Sequence, residues 1–166
     1  QACLFNKFIS RRLKRVIPLD KCLEGDLISP LDSNELPTKE LTRVNKTNID
    51  TLSDNVKNNK AVTVYPVPGF DMTLTKGVMY EIVREVMDEE NLTPRSFWVS
   101  KMPEISSTGT FRPIIIISKY FKVTPSPSNT ENKSTAKFEF SLVRGSYATV
   151  LLREFMKNDN PLAAGF

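Results

Sequence analysis

The stretch KFEFSLVRGSYATVLLREF, residues 137–155, limits the possible folds more than any other part of this sequence. Polar and apolar residues alternate in its first six positions, which is typical of a half-exposed β-strand. After Tyr147 the apolar residues recur at helical spacing. The change of period falls at Arg144, Gly145 and Ser146, where glycine permits backbone angles that other residues avoid and a serine hydroxyl can cap a helix. We therefore predict a strand, a tight turn and a helix, with Tyr147 on the first helical turn.

The residues around Tyr147 leave two interpretations of its role open. The ring can pack beneath the turn with its hydroxyl hydrogen-bonded, as buried tyrosines usually are. Alternatively, the side chain lies beside Arg144 and the unpaired N–H groups at the start of the helix, where an anion such as phosphate binds favourably.

Similar changes of period along the chain predict an α+β fold. The four isoleucines at 114–117 do not alternate with polar residues, which predicts a strand covered on both faces. Strands are expected at 24–28, 61–67, 111–118 and 137–143. Helices are expected at 2–15, 38–44, 49–58, 75–90 (capped by Thr75) and after the glycine turn. The segments 29–37 and 125–134 are rich in turn-forming residues and are expected to be loops.

Charge is unevenly distributed over two of these helices. The first carries Lys7, Arg11, Arg12, Lys14 and Arg15 away from its apolar stripe. This basic face is either a solvated surface or an RNA-binding patch. The helix at 75–90 ends in an acidic run, which its dipole disfavours. Fraying or a basic partner would relieve that conflict.

The residue inventory excludes several kinds of chemistry. The 166 residues contain no histidine, so Ser-His-Asp and Cys-His catalysis and zinc sites with histidine ligands cannot be built from this chain. Cys3 and Cys22 have no metal-ligand spacing, and we expect free thiols. No apolar run approaches the roughly 18 residues of a membrane span. The net charge of +4 is compatible with a nucleic-acid partner but does not require one.

Six stretches, in order along the chain, resemble motifs of the TruD-type tRNA pseudouridine synthases. The last is the strand–turn–helix stretch, which resembles the closing motif F-x-L-x-x-G-S-[YF]-A-T-x-x-L-R-E of that family. The six are QACLFNKFISRRL at 1–13, PLDKCLEGDL at 18–27, PVPGFD at 66–71, EIVREVMDEENL at 81–92, SSTGTFRPIIIISKYF at 106–121 and FEFSLVRGSYATVLLREFMK at 138–157.

The resemblance implies a particular domain organisation within the α+β class. A pseudouridine synthase catalytic domain, with a mixed sheet and helices, is interrupted by an α/β insertion domain, and RNA lies in the cleft between them. Residues 1–23 and 111–166 would belong to the catalytic domain, and residues 24–110 would form most of the insertion (TRUD) domain.

The resemblance also implies a reaction. Such enzymes convert the uridine at position thirteen of tRNA to pseudouridine with neither metal nor organic cofactor. An aspartate acts at the sugar or base, the N-glycosidic bond breaks, and the uracil turns and rejoins through carbon. The target nucleotide has to leave its stack to be reached.

Matched residue by residue, the resemblance places Tyr147 in the active site, where its ring can stack on the target base. Arg112 matches the signature arginine, with an ion pair and an RNA contact both open. Phe5 and Asn6 match the first motif; Phe5 is expected in the core, and Asn6 is expected to make hydrogen bonds that hold the helix or to contact RNA. The remaining RNA-binding candidates are Arg144, Ser146 and Lys119.

One departure from the family is important. The G-x-K-D-type motif with the nucleophilic aspartate does not occur in this sequence, and the role is carried onto none of its aspartates. We therefore expect a fragment that is inactive alone, that needs the N-terminal part of the catalytic domain, and whose unpaired strand edges favour self-association. The expected partner is tRNA, without a membrane, in the cytoplasm or, in a eukaryote, the nucleus.

Two other functions remain open. One is a non-catalytic RNA-binding or scaffold module. The other is a protein-interaction domain whose helix at 75–90 binds a basic partner. Salt dependence separates them, because binding to a polyanion weakens steeply as salt rises.

Overall fold

The computed structural model describes residues 1–74, 76–118, 120–126, 135–143, 146–157, 160 and 163. The chain divides into two compact units, Gln1–Ile115 and Ile116–Phe166. The helices are α1 (Ala2–Lys14), α2 (Ile49–Lys57), α3 (Val78–Glu89) and α4 (Ala148–Met156). The strands are β1 (Leu27–Pro30), β2 (Thr42–Arg43), β3 (Ala61–Val67), β4 (Thr110–Pro113), β5 (Tyr120–Ser126) and β6 (Thr135–Ser141). The predicted α+β class is confirmed.

The first unit is built around a four-stranded antiparallel sheet in the order β2-β1-β3-β4. Strand β3 is its centre: Leu27 of β1 pairs with Val64, and Thr110 of β4 pairs with Val67. All seven residues of β3 are buried, as its β-branched and aromatic composition favours. Helix α1 packs against β3 and α3, and α2 packs against β3. The largest core cluster includes Phe5, Phe8, Tyr65, Met79, Ile82 and Val86.

Two predicted elements of this unit are wrong. Residues 38–44 form no helix, because Thr42 and Arg43 pair with β1 as the edge strand β2 and Val44 is fully buried. The isoleucine run forms no strand covered on both faces. Strand β4 ends at Pro113, the Ile114 N–H makes one further hydrogen bond to the Thr63 carbonyl at 3.0 Å, and residues 114–118 are not part of a strand. Only Ile114 of the run is buried, and Ile116 is 44% exposed.

Other predicted boundaries shift. The strand expected at 24–28 is β1, which continues through Pro30 into the expected loop. Helix α3 begins at Val78 with Gly77 as its N-cap, while the predicted cap Thr75 lies outside the described residues. Of the loop expected at 125–134, the first two residues instead belong to β5, and residues 127–134 lie outside the described part.

Arg12 is the centre of a buried polar network. It was expected on the basic surface of α1, yet it is fully buried. Its Nη1 donates to both carboxylate oxygens of Asp26 and to the hydroxyl of Tyr65, each at 2.9 Å. Burial raises the pKa of Asp26, while the Arg12 charge and the Leu23 N–H, which donates at 3.0 Å, act against that rise. The network joins α1, the segment before β1, and β3.

The rest of the basic face of α1 meets the acidic face of α3. Arg11 donates to Glu89 at 2.6 Å and to Glu85 at 3.3 Å. Further ion pairs join Arg15 to Glu81 and Glu85, and Lys7 to Glu90. Negative charge at the C-terminal end of α3 interacts unfavourably with the helix dipole, and these cations of α1 neutralise it. These α1 cations face a helix rather than forming an open RNA-binding patch.

A backbone crossing closes the first unit beside β4. The Phe70 N–H donates to the Ser107 carbonyl at 2.8 Å, which brings the segments 66–71 and 106–112 together. A Cβ on Gly69 would lie 2.0 Å from the nitrogen of Gly109, and Gly109 itself has a φ of +87°. Only glycine at both positions allows this approach. Gln1 is held at the same place, since its Nε2 donates to the Pro68 carbonyl at 2.6 Å.

In the second unit β5 and β6 form an antiparallel hairpin, with Phe121 opposite Phe140 and Val123 opposite Phe138. The strand predicted at 137–143 is therefore present, two residues earlier. Phe155 of α4 stacks on Phe121, with ring centroids 4.8 Å apart and planes 15° apart. Contacts among these aromatic rings join the helix to the hairpin.

The buried hydroxyl of Tyr65 predicts a loss of stability at alkaline pH. Burial outweighs the nearby Arg12 charge and raises the pKa of Tyr65 from 10.0 to about 12. Above about pH 10 the unfolded chain loses this proton while the folded chain keeps it, so the free energy of unfolding falls as the pH rises further. Tyr65→Phe should lower stability by roughly 1–2 kcal/mol at neutral pH through the lost hydrogen bond, and should abolish this part of the alkaline decline.

Urea unfolding of both proteins from about pH 9 to about pH 11.5 measures the difference. Tyr80→Phe, at a half-buried position on α3, is the control and should keep the decline. Parallel pH curves for Tyr65→Phe and the unchanged chain would show that Tyr65 is not responsible.

The crossing predicts that Gly69→Ala is strongly destabilising. The new methyl group would meet Gly109 backbone atoms at 2.0–2.4 Å, and backbone cannot turn aside as a flexible side chain can. We expect a loss of at least about 2 kcal/mol in the free energy of unfolding. Thr108→Ala, at the exposed neighbouring position, should change it by less than about 0.5 kcal/mol. Equal thermal unfolding curves for Gly69→Ala and the unchanged chain would contradict the crossing.

Candidate functional site

The turn between β6 and α4 holds Tyr147 at an exposed position. Tyr147 is the N-cap of α4, in extended conformation, and thus precedes the first helical turn on which it was predicted. Its carbonyl accepts hydrogen bonds from the N–H groups of Val150 and Leu151 at 3.1 and 3.4 Å. The residue is 59% exposed, and its hydroxyl makes no hydrogen bond to the described residues. The ring is therefore not buried beneath the described residues, and its role in binding stays a prediction.

Ser146 does not cap the helix as expected. Helix α4 has no side-chain cap, and the Ser146 Oγ is buried without a hydrogen-bond partner in the part of the chain that the structure describes. Its backbone N–H donates to the Val143 carbonyl at 3.1 Å, which closes the turn. Two further site candidates, Arg144 and Lys119, lie outside the described residues.

Arg112 lies on β4 opposite Tyr65, with its guanidinium over the ring of Phe5. The guanidinium carbon is 5.3 Å from the ring centroid, and Phe5 is buried in the core as predicted. No described carboxylate pairs with Arg112, so the ion pair considered from the sequence is not formed among the residues in view. Its charge is held in place by the aromatic ring and available to an anion.

Asn6 follows Phe5 on α1 and is exposed. Its side chain makes no hydrogen bond to the described residues, so it does not hold the helix as one interpretation expected. Gln1, at the start of the same motif, does this instead through Pro68. The structure thus groups Asn6 and Arg112 around Phe5 in the first unit, whereas Ser146 and Tyr147 belong to the second.

Sequence reasoning missed the roles of Gln1, Gly69 and Gly109. Each stands in a stretch already singled out, QACLFN, PVPGFD or SSTGTFR. A glycine in two separate motifs could have indicated a close backbone approach, because that is a main reason for requiring glycine. The sequence offered no signal for which two segments approach each other.

Among the described residues, each unit has one group suited to contact a ligand. The first unit has the Arg112 guanidinium, set over the Phe5 ring and without a carboxylate partner among those residues. The second has the exposed Tyr147 ring, whose hydroxyl bonds to no described group. No group of three or more Cys, Asp or Glu side chains in the described part of the chain could hold a metal ion. None of the described helices is both long and apolar enough to cross a membrane.

Comparisons with known proteins agree with the motifs. The family model for tRNA pseudouridine synthase D (TruD) matches residues 1–155. A "Probable tRNA pseudouridine synthase D" of Methanococcoides burtonii is 38% identical over 160 residues, covering 95% of this chain and 36% of the relative. Another, from Picrophilus torridus, is 35% identical over 159 residues, with the same two coverages.

A crystal structure from Methanosarcina mazei that bears the name tRNA pseudouridine synthase D (TruD) superimposes with a TM-score of 0.86 at 32% identity. It covers 96% of this chain and 36% of its own. The chain thus spans about a third of the length of the relatives it matches. The resemblance carried by the six motifs is confirmed, and the chain belongs to the tRNA pseudouridine synthase D (TruD) family.

Proposed function

We propose that this chain is part of an enzyme that isomerises a uridine of tRNA, at position thirteen, to pseudouridine. Membership of the family supports the reaction, and the exposed ring of Tyr147 is the observation that carries it. An exposed aromatic ring in the closing motif, whose hydroxyl bonds to no described residue, is suited to stack on a base that has left the RNA helix.

In this proposal the described residues bind and orient the RNA. Tyr147 stacks on the target nucleotide and offers its hydroxyl as a polar contact. The start of α4 places unpaired N–H groups beside it, which favour a phosphate. Arg112 supplies a positive charge in the first unit, with Asn6 exposed nearby along α1. Ser146, Arg144 and Lys119 remain proposed RNA contacts.

The bond-breaking step in such enzymes uses an aspartate that is not found among the motifs of this chain. The N-glycosidic bond breaks, the uracil turns, and a carbon–carbon bond to the ribose replaces the carbon–nitrogen bond, without a cofactor. We propose that the segment carrying the aspartate completes the site and that these 166 residues alone do not turn over tRNA. Self-association through unpaired strand edges remains part of the proposal.

The proposed domain organisation follows the family. Residues 1–23 and 111–166 would contribute to the catalytic domain and residues 24–110 to the insertion domain. A tRNA substrate places the activity in the cytoplasm, or in the nucleus of a eukaryote.

An RNA-binding or scaffold module without catalysis is the second candidate. The observation that favours it is that this sequence carries the proposed RNA contacts but no G-x-K-D-type aspartate motif. The two candidates differ in what happens to tRNA when Tyr147 is changed.

Replacing Tyr147 by alanine should slow pseudouridine formation while tRNA affinity is mostly kept. The test uses a polypeptide that includes the aspartate motif and measures single-turnover pseudouridine formation beside tRNA binding. Loss of one stacked base should lower the rate by about 5- to 150-fold, since stacking contributes about 1–3 kcal/mol. Tyr147→Phe, which keeps the ring, should retain most of the rate.

Tyr120→Ala is the matched control, because Tyr120 is an exposed tyrosine of the same unit outside the turn. It should leave the rate unchanged. Full turnover by Tyr147→Ala would remove the catalytic role of Tyr147, and tight tRNA binding without any turnover in the unchanged protein would favour the scaffold.

A further inference from the structure

The single tryptophan of the chain, Trp98, lies at the surface between α3 and β4. It is 42% exposed although tryptophan is a large apolar residue. Its ring makes an edge-to-face contact with Phe70, with centroids 4.9 Å apart and planes 75° apart. Phe70 directly follows Gly69 of the backbone crossing, so the tryptophan is attached to the place where two family motifs meet.

The backbone around Trp98 is held by hydrogen bonds that need no ligand. The N–H of Trp98 donates to the Arg95 carbonyl at 3.0 Å, at the end of a short 3₁₀ helix. The N–H of Val99 donates to Ser106 Oγ at 2.8 Å, and the N–H of Ser107 donates to the Phe97 carbonyl at 3.3 Å. Because the ring is pre-organised, a ligand that stacks on it pays little ordering entropy.

The segment that carries Trp98 has cations and no acidic residue, with Glu104 after its end and Asp71 next to Phe70. Between Glu90 and Glu104 the sequence has two cations, Arg95 and Lys101, and no acidic residue. Both side chains are exposed, and neither has a carboxylate partner among the described residues. This differs from α1, where the cations facing α3 are neutralised by its glutamates. Sequence pattern alone does not separate these two groups of basic residues.

An exposed aromatic ring flanked by free cations fits single-stranded nucleic acid, in which bases stack and phosphates attract positive charge. Resting on the function proposed above, we propose that Arg95, Trp98 and Lys101, here called the Trp98 surface, bind an unpaired nucleotide of the RNA by stacking its base on the indole. Val99, Met102 and Ile105 are also exposed, which is the feature that a protein partner would use instead. Arg95 and Lys101, which no described carboxylate pairs, are the feature that favours RNA.

Because Trp98 is the only tryptophan, its fluorescence reports on this surface alone. The 166-residue chain is titrated with a uridine-rich single-stranded RNA of about 12 nucleotides, a length in the range such proteins cover. Polyphosphate of equal charge is the control without bases. We expect the RNA to quench the fluorescence and polyphosphate to bind without quenching it.

Single substitutions then show which side chains contribute to the binding free energy. Trp98→Ala should weaken RNA binding by about 5- to 150-fold, and Trp98→Phe should keep most of it. Arg95→Ala and Lys101→Ala should each reduce the salt slope of the binding constant by about 0.7. Ile105→Ala, at a 60% exposed apolar position of the same segment, is the matched control and should change affinity by less than about twofold.

Three results would overturn the inference. RNA binding with unchanged fluorescence, together with unweakened binding by Trp98→Ala, would remove Trp98 but leave the proposed function intact. Absence of any salt-dependent RNA binding would count against both. A fluorescence change that follows protein concentration without RNA would show that this surface joins copies of the chain. The titration of the unchanged chain needs no variant, so a variant that fails to fold does not block the test.

Discussion

The buried ion pair between Arg12 and Asp26 is the interaction on which the arrangement of the first unit depends. A charge taken out of water must be paired, and breaking such a pair costs about 3–5 kcal/mol. Arg12 satisfies this condition only where α1 lies beside the segment before β1 and beside Tyr65 of β3. With that position fixed, the other cations of α1 face the glutamates of α3, and Gln1 reaches Pro68.

The position of α1 in turn sets the positions of several proposed RNA contacts in the first unit. Phe5 lies in the core and supports the guanidinium of Arg112. The crossing at Gly69 and Gly109 brings the segments 66–71 and 106–112 together at the end of α1 that Gln1 holds. Phe70, next to Gly69, contacts the ring of Trp98. The second unit contributes Tyr147 from a separate turn. The proposed RNA contacts are thus aromatic rings and cations, which suit a substrate held by base stacking and phosphate contacts.

The sequence predicted those features that depend on local pattern. Strand β3 was predicted to the residue, because five of its seven residues are β-branched or aromatic and Pro68 follows its last residue. Long-range features were not accessible. Arg12 stands among other basic residues, and only the fold brings Asp26 to it; the isoleucine run is apolar enough for a strand, but β4 ends at Pro113 and only Ile114 of the run is buried. Tyr147 was singled out by its motif, whereas its exposure needed the structure.

A double-mutant cycle on Arg12 and Asp26 tests the central claim most directly. The free energy of unfolding is measured by urea for the unchanged chain, Arg12→Met, Asp26→Asn and the double variant. The account predicts that each single change costs about 3–5 kcal/mol, because it leaves a buried group without its partner, and that the double variant costs at least about 2 kcal/mol less than the sum. Additive costs, or single changes of under about 1 kcal/mol, would contradict the claim that this pair fixes the fold.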